Sequence, residues 1–138
     1  MLFTATYPLH YIGFGRWKIV KWPGGIVYYT TDPTFSPQFK QTLAKTIWQL
    51  EQRTCIRFKQ RISEEDYIIF TSKLGPGCLS TMQGRLGGRQ HINIGTECSK
   101  MGEFAHEILH ALGMMHEHQR PDRDNYIKIL YENVNETY

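Results

Sequence analysis

The sequence predicts an α+β fold in which two long helices pack on one face of a twisted, mixed β-sheet. Three observations support this class. Short β-rich segments recur along the chain, only two segments have a helical apolar pattern, and no repeat or low-complexity linker divides the 138 residues. The length corresponds to a single domain with a moderate core that buries about two-thirds of the unfolded surface.

The first strand and the first helix are predicted from local signals. Residues 26–30 are rich in β-forming side chains and follow a Pro-Gly-Gly breaker, which favours a strand. Ser36 and Pro37 predict a helix start, because serine caps helices and proline suits the first helical position. The helix is predicted to reach about Arg53, with its apolar stripe in the core: Phe39, Leu43, Ile47 and Leu50.

Further strands are predicted at residues 55–59, 67–72 and 90–95. In the last of these, two isoleucines alternate with His91 and Asn93, which predicts one buried and one exposed face. The glycine-rich turn at residues 84–88 lacks the spacing of a phosphate-binding loop, so nucleotide binding is not predicted.

The composition argues against several functional classes. A formal charge of +3, without a block of five or more basic residues, is too small to indicate nucleic-acid binding. No apolar run approaches the roughly 20 residues of a membrane-spanning helix. Residues 1–22 mix charged, aromatic and glycine residues, unlike a signal peptide. We therefore expect no nucleic-acid partner and no membrane span, and the sequence does not indicate an oligomeric state.

Residues 106–117 carry the most informative pattern, His-Glu-x-x-His-x-x-Gly-x-x-His followed by Glu. His106 and His110 lie one helical turn apart, so both imidazoles can reach one zinc ion at about 2.0–2.1 Å. Gly113 can adopt the left-handed conformation that ends a helix, which lets the chain reverse and His116 return as a third ligand.

The helix that carries this motif is predicted to begin near Ser99, which would serve as its cap. One face of the helix presents the histidines to a cleft, and the opposite face is predicted to pack in the core: Met101, Phe104, Ile108 and Leu112.

Three protein ligands indicate a catalytic zinc site, because they leave one coordination position for a water molecule whose pKa zinc lowers to about 7. Glu107 can reach that water, so it is the candidate general base and then the acid that protonates the leaving amine. Five fixed positions make a chance match improbable, on the order of 10⁻⁴. Histidines and methionines outside such a motif usually have a structural role. We therefore assign no catalytic or metal-binding role to His10, His91, His118, Met114 and Met115.

The run HEILHALGMMHEHQRPDRDNYIKI, residues 106–129, resembles the astacin family of metzincins. It continues past the third histidine as H-E-x-x-R-x-D-R-D-x-Y-I, which other metzincins do not share. Weaker matches lie upstream, at residues 22–29, 54–58 and 77–80, so the resemblance covers residues 20–138.

This resemblance implies a metzincin-like N-terminal subdomain and a zinc-dependent metalloendopeptidase. One zinc ion per chain would be bound by His106, His110 and His116, with Glu107 as the catalytic base. A protein or peptide substrate would lie antiparallel along an exposed edge strand at residues 77–83, where strand pairing satisfies backbone groups of both chains.

The three cysteines are too far apart for a Cys-x-x-Cys zinc site, and by themselves they leave open three reduced thiols in a cytosolic protein. The resemblance implies instead a secreted protein with a Cys78–Cys98 disulfide, in which Cys55 pairs with a cysteine further along the full domain. It also implies that Glu117 helps to anchor the mature N-terminus, and the alternative for Glu117 is a solvated surface charge.

The sequence departs from the family pattern at two places. It contains no S-x-M-H-Y-like segment of the family's Met-turn, and neither Tyr131 nor Tyr138 is assigned as an additional zinc ligand. Residues 1–19 have no counterpart in the mature domain. We expect residues 20–138 to be the N-terminal portion of an astacin-like peptidase domain, preceded by an extension without an assigned role. The alternative to an active endopeptidase is a catalytically incompetent zinc-binding fragment that lacks the lower half of the cleft.

Overall fold

The computed structural model describes residues 19–81 and 83–134. Predictions that concern His10, Tyr138 and the residues before position 19 lie outside the described residues. The helices are α1 (Pro37–Arg53) and α2 (Met101–Ala111). The strands are β1 (Ile26–Thr31), β2 (Arg57–Gln60), β3 (Tyr67–Thr71), β4 (Cys78–Ser80) and β5 (Arg89–Ile94).

The five strands form one mixed sheet in the order β2-β1-β3-β5-β4. The pairs β2–β1, β1–β3 and β3–β5 are parallel, and β4 pairs antiparallel with β5 at one edge. The predicted α+β class, with a mixed sheet and two helices of which the second carries the histidine motif, is confirmed.

The core joins both helices to the sheet through an aromatic cluster. Phe35, Phe70 and Phe104 are almost fully buried, and the ring centroids of Phe35 lie 6.2 Å from Phe70 and 6.3 Å from Phe104. Phe39 of α1 completes the cluster, 5.8 Å from the Phe104 ring of α2. Because these contacts link α2 to both α1 and the sheet, the helix that carries the motif has a fixed position.

Helix α1 has the predicted bounds. The Ser36 hydroxyl accepts a hydrogen bond from the Phe39 backbone N–H at 3.1 Å, and Pro37 occupies the first helical position. Leu43 and Ile47 are buried as expected for the apolar stripe. The strand predicted at residues 55–59 is β2, which begins two residues later, and the Cys55 thiol is free and exposed.

The prediction that β5 has one exposed face is wrong for Asn93, which is 1 % exposed. Its side-chain amide accepts a hydrogen bond from the Leu74 N–H at 2.9 Å and donates to the carbonyls of Gly75 and Gly77 at 3.1 and 2.7 Å. The loop before β4 therefore covers this part of β5. An alternating pattern cannot reveal such cover, because the covering loop comes from elsewhere in the chain.

Two expectations for α2 are also wrong: that Ser99 caps the helix, and that Met101 packs in the core. The helix begins at Met101 with Lys100 as the cap residue, and the Glu103 carboxylate accepts hydrogen bonds from the N–H groups of Ser99 and Lys100, both at 2.8 Å. Ser99 is therefore the residue before the cap, because the glutamate takes over the capping role. Met101 is 44 % exposed, since the first helical turn extends beyond the core.

The predicted disulfide between Cys78 and Cys98 is present, with the two Cα atoms 5.9 Å apart. It links the edge strand β4 to the segment that leads into α2. Strand β4 has three residues, fewer than the seven of the predicted edge segment. In the part of the chain that the structure describes, no helix is both long enough and apolar enough to cross a membrane.

Candidate metal centre

Helix α2 holds two of the three histidines on one side while its other side is buried. Phe104, Ile108 and Ala111 are fully buried in the core. On the other side, the Nε2 atoms of His106 and His110 approach to 3.0 Å. The helical spacing therefore brings the two rings together as the sequence predicts.

The third histidine returns to this pair because the chain reverses at Gly113. This glycine has a φ of +102°, and its N–H donates to the His110 carbonyl at 2.8 Å. His116 then places its Nε2 atom 3.2 Å from Nε2 of His106 and 3.1 Å from Nε2 of His110. Glycine is favoured here by its positive φ, and a Cβ at Gly113 would also lie 2.6 Å from the Ile19 methyl group, which would have to shift.

The three nitrogen atoms form a nearly equilateral triangle with sides of 3.0–3.2 Å. Tetrahedral zinc with ligand distances of about 2.0–2.1 Å separates its nitrogen ligands by about 3.3–3.4 Å. The observed triangle is therefore only slightly tighter than a zinc site requires. Among the described residues, this is the one group of His, Cys, Asp and Glu side chains that could hold a metal ion.

The hydrogen bonding of His110 supports the same assignment. Its Nδ1 atom lies 2.7 Å from the carbonyl oxygen of Met114. Because a carbonyl only accepts hydrogen bonds, Nδ1 carries the proton and Nε2 presents a lone pair to the other two rings. Such a bond from the outer nitrogen to a carbonyl is typical of histidines that bind metal.

Burial lowers the pKa of the His116 imidazole below its ordinary value, and the nearby rings of His110, His106 and His118 lower it further. A hydrogen bond with the Gln119 side chain acts in the opposite direction. The net lowering favours the neutral imidazole, which is the form that binds metal. His118 stacks on His116 with ring centroids 5.6 Å apart, so it supports the third histidine without joining the triangle.

Glu107 lies on α2 directly after the first histidine and is 7 % exposed. Across residues 19–81 and 83–134, no ion pair neutralises its carboxylate. Helix α2 therefore carries a buried carboxylate directly after its first histidine, and a carboxylate is a residue type that serves as a general base.

The remaining predicted site residue, Glu117, lies in a short 3₁₀ turn after the motif. Its carboxylate accepts a hydrogen bond from the Arg120 guanidinium at 2.9 Å, and its side chain is 49 % exposed. Arg120 also binds the carboxylate of Asp122 at 3.0 and 2.9 Å and lowers the pKa of that carboxyl group. The Arg120 guanidinium therefore links the carboxylates of Glu117 and Asp122 and stabilises this turn.

The sequence interpretation missed two contacts to the end of α2. The Trp22 indole N–H donates a buried hydrogen bond to the Ala111 carbonyl at 2.9 Å, and the Gly84 N–H donates to the His110 carbonyl at 2.9 Å. Trp22 is 89 positions from its partner, so no local spacing could reveal the contact. In the sequence, the one feature that could have drawn attention to Trp22 is its position directly before the Pro-Gly-Gly turn.

The family model for Astacin, a peptidase family, matches residues 16–138. The chain belongs to the astacin family. Two relatives of this astacin-family chain are mouse Tolloid-like protein 1, 40% identical over 113 residues, and the Caenorhabditis elegans zinc metalloproteinase nas-6, 39% identical over 117 residues. A solved structure similar to it is that of high choriolytic enzyme 1, a hatching enzyme zinc-protease from the medaka fish Oryzias latipes, with a TM-score of 0.71 and 34% identity.

These matches cover most of this chain but only part of the relatives. The aligned region is 82% of this chain and 11% of Tolloid-like protein 1, and 85% of this chain and 33% of nas-6. The match to the hatching enzyme covers 86% of this chain and 60% of that one. The family and the fold of the described region are therefore shown, and the predicted assignment to the astacins is confirmed.

Proposed function

We propose that this chain carries the zinc site and the catalytic base of a metalloendopeptidase that hydrolyses peptide bonds in proteins or peptides. The observation that supports it most is the triangle of three Nε2 atoms with sides of 3.0–3.2 Å, in a chain of the astacin family whose motif helix also carries the buried Glu107. Three histidine ligands and one open position are typical of catalytic zinc.

In this proposal His106, His110 and His116 hold one zinc ion. Bound zinc would act as a Lewis acid that polarises the scissile carbonyl and makes a water molecule more acidic. Glu107 accepts the proton of the attacking water and then delivers it to the leaving amine. Glu107 directly follows His106 on helix α2, and its side chain is buried.

The edge of the sheet offers a place for an extended substrate. Strand β4 is the last strand in the sheet order, and Leu79 at its centre is 51 % exposed. A peptide that adds to this edge would gain backbone hydrogen bonds whatever its sequence, while pockets beside it would select side chains. The substrate is thus recognised as an extended strand.

The remaining assignments support this function. Gly113 is proposed as the structural hinge of the motif, and Glu117 as a group that anchors the mature N-terminus. Residues 20–138 are proposed as the N-terminal portion of the peptidase domain, preceded by the extension at residues 1–19. Secretion is proposed because the Cys78–Cys98 disulfide suits an oxidising compartment.

The test compares Glu107→Gln with Glu65→Gln, a matched change at an exposed carboxylate. Zinc content is measured by mass spectrometry, and cleavage of a quenched peptide is followed with and without a chelator. We expect one zinc per chain in the parent and both variants, with turnover lost by about 10³-fold or more in Glu107→Gln alone. Equal turnover in both variants would remove Glu107 as the base. Zinc binding without cleavage in the parent chain would favour the incompetent zinc-binding fragment.

A further inference from the structure

The last turn of α2 is stabilised partly by groups from distant parts of the chain. Within the helix end, the carbonyls of Ile108, Leu109 and His110 accept hydrogen bonds from residues 112–114 at 2.8–3.0 Å. The Ala111 carbonyl instead accepts from the Trp22 indole at 2.9 Å, and the His110 carbonyl accepts a second hydrogen bond, from the Gly84 N–H. Helix ends leave such carbonyls without partners unless other groups supply them.

One of these two carbonyls belongs to a histidine of the candidate metal site, and the other belongs to the residue that follows it. His110 presents its Nε2 atom to the other histidines, and its outer nitrogen donates to the Met114 carbonyl across 2.7 Å. The orientation of this ring therefore depends on the backbone between residues 110 and 114. Any group that fixes the Ala111 peptide also fixes the two peptides on either side of it.

Trp22 itself has little freedom to move. Trp22 is 6 % exposed, and the segment before it lies against two glycines, Gly84 and Gly113. A Cβ atom at Gly84 would lie 2.9 Å from the Val20 carbonyl oxygen, and one at Gly113 would lie 2.6 Å from the Ile19 methyl group. The Arg85 N–H also donates to the Val20 carbonyl at 2.7 Å. The close fit on both sides keeps the indole directed at α2.

The turn that contains Gly84 is held by hydrogen bonds to the side chain of Gln90, which is 2 % exposed. The Gln90 amide donates to the Gly84 carbonyl at 3.0 Å and accepts from the Leu86 N–H at 3.1 Å. An ion pair between Arg85 and Asp66 holds the other side of the turn. The Trp22 indole is therefore held by burial, and the Gly84 N–H is held by the hydrogen bonds of its turn to the buried Gln90 side chain.

We propose that Trp22 is a positioning residue of the metal centre: its indole N–H, together with the Gly84 N–H, holds the last turn of α2 so that His110 faces the other two histidines. This proposal rests on the proposed zinc site and assigns part of its geometry to the segment that precedes β1. Outer groups of this kind change metal affinity by about 10–100-fold when they are removed.

The test is the substitution Trp22→Phe, which removes the N–H donor and leaves an aromatic ring in the core. The matched control is Trp48→Phe on α1, because the Trp48 side chain is 57 % exposed. Zinc dissociation constants are measured on the full 138-residue chain by competition with a chromophoric chelator, under conditions where circular dichroism shows each apo protein to be folded. We expect zinc binding about tenfold weaker in Trp22→Phe and within about twofold of the parent in Trp48→Phe.

A second measurement separates positioning from general stability. Amide hydrogen exchange of residues 112–114 in the apo protein reports on the end of α2, and it should accelerate in Trp22→Phe relative to Trp48→Phe. A purely structural role would instead lower the apo melting temperature and leave the zinc dissociation constant of the folded protein unchanged. That result would overturn the proposal.

If Trp22→Phe does not fold, replacement of Trp22 by β-(3-benzothienyl)alanine keeps the bicyclic shape and removes only the N–H donor. The same tenfold loss of zinc affinity is expected, and unchanged affinity overturns the proposal. The failure of the underlying function is recognised separately. If the parent chain binds no zinc, both proposals fall, whereas equal binding by the parent and the Trp22 variants removes the positioning role alone.

Discussion

The Nδ1 atom of His110 donates a hydrogen bond to the Met114 carbonyl oxygen across 2.7 Å, from the last turn of α2 to the chain that has just reversed direction. This contact exists because Gly113 lies between the two residues with a φ of +102°. The turn at Gly113 and the orientation of the His110 ring are thus one structural feature, and a change at Gly113 should affect both stability and the proposed zinc binding.

We therefore expect Gly113→Ala to lower the free energy of unfolding by about 1–3 kcal/mol, because alanine is strained at this φ and its Cβ meets Ile19. Zinc affinity should fall with it. Gly102→Ala is the matched control, since nothing lies within 4 Å of a Cβ there and the residue is helical, so stability should stay constant or rise by up to about 1 kcal/mol. Urea unfolding checks both variants, and equal effects would contradict the hinge role.

Zinc should stabilise the chain by mass action. At a free concentration of about 100 times the dissociation constant, a ligand specific for the folded state adds about 2.7 kcal/mol to the free energy of unfolding. The increase should vanish with a chelator and in His116→Ala, which removes one corner of the triangle. His91→Ala, outside the triangle, should keep the increase. Urea unfolding with and without zinc measures it, and an increase that survives in His116→Ala would indicate a different binding site.

The Cys78–Cys98 disulfide should contribute roughly 3 kcal/mol, because it closes a loop with a sequence separation of 20 in the unfolded chain. Replacing both cysteines by serine should lower the free energy of unfolding by that amount and remove its sensitivity to reductant. Cys55→Ser is the control, since this thiol is free and exposed. Unfolding curves with and without reductant give the comparison, and a reductant effect that persists in the double serine variant would contradict it.

Asn93→Ala should destabilise the fold by about 2–3 kcal/mol, because it removes three hydrogen bonds to the loop before β4, and of their loop groups the Gly77 carbonyl alone keeps a backbone partner among the described residues, the Gly95 N–H. Asn125→Ala, at an exposed position, should stay within about 0.5 kcal/mol of the parent. Chemical denaturation measures both. Similar values for the two variants would show that the loop finds other partners.

The carboxyl group of Asp32 should make stability depend on pH in acid. Hydrogen bonds from the Thr34 hydroxyl and N–H, and then from Lys73, lower its pKa to about 2. A lowered folded-state pKa adds stability that is complete above the ordinary value near 4. This stability is lost as the pH falls through about 2. Asp32→Asn should therefore melt at a lower temperature than the parent at pH 6, and the difference should shrink between pH 4 and pH 2. A constant difference would contradict this origin.

Several elements could be predicted from the sequence because their causes are local. Ser36 and Pro37 set the start of α1, and the Pro-Gly-Gly turn precedes β1 as expected. Helix α2 begins near Ser99 as predicted, but Ser99 is not its cap, because the Glu103 carboxylate accepts hydrogen bonds from the N–H groups of Ser99 and Lys100. Burial of Asn93 was also missed, because its partners lie 16–19 residues away in the chain.

The sequence by itself predicted which three histidines come together in a group that could hold a metal ion. Helical geometry requires His106 and His110 to share a face, and only a glycine at position 113 allows the reversal that returns His116. The tertiary structure alone decided which distant groups hydrogen-bond to the end of α2: the indole of Trp22 and the N–H of Gly84. The physical reason is the range of the interactions. Spacing along a helix is a property of neighbouring residues, whereas hydrogen bonds to the last helical carbonyls can come from any segment that the fold brings within about 3 Å.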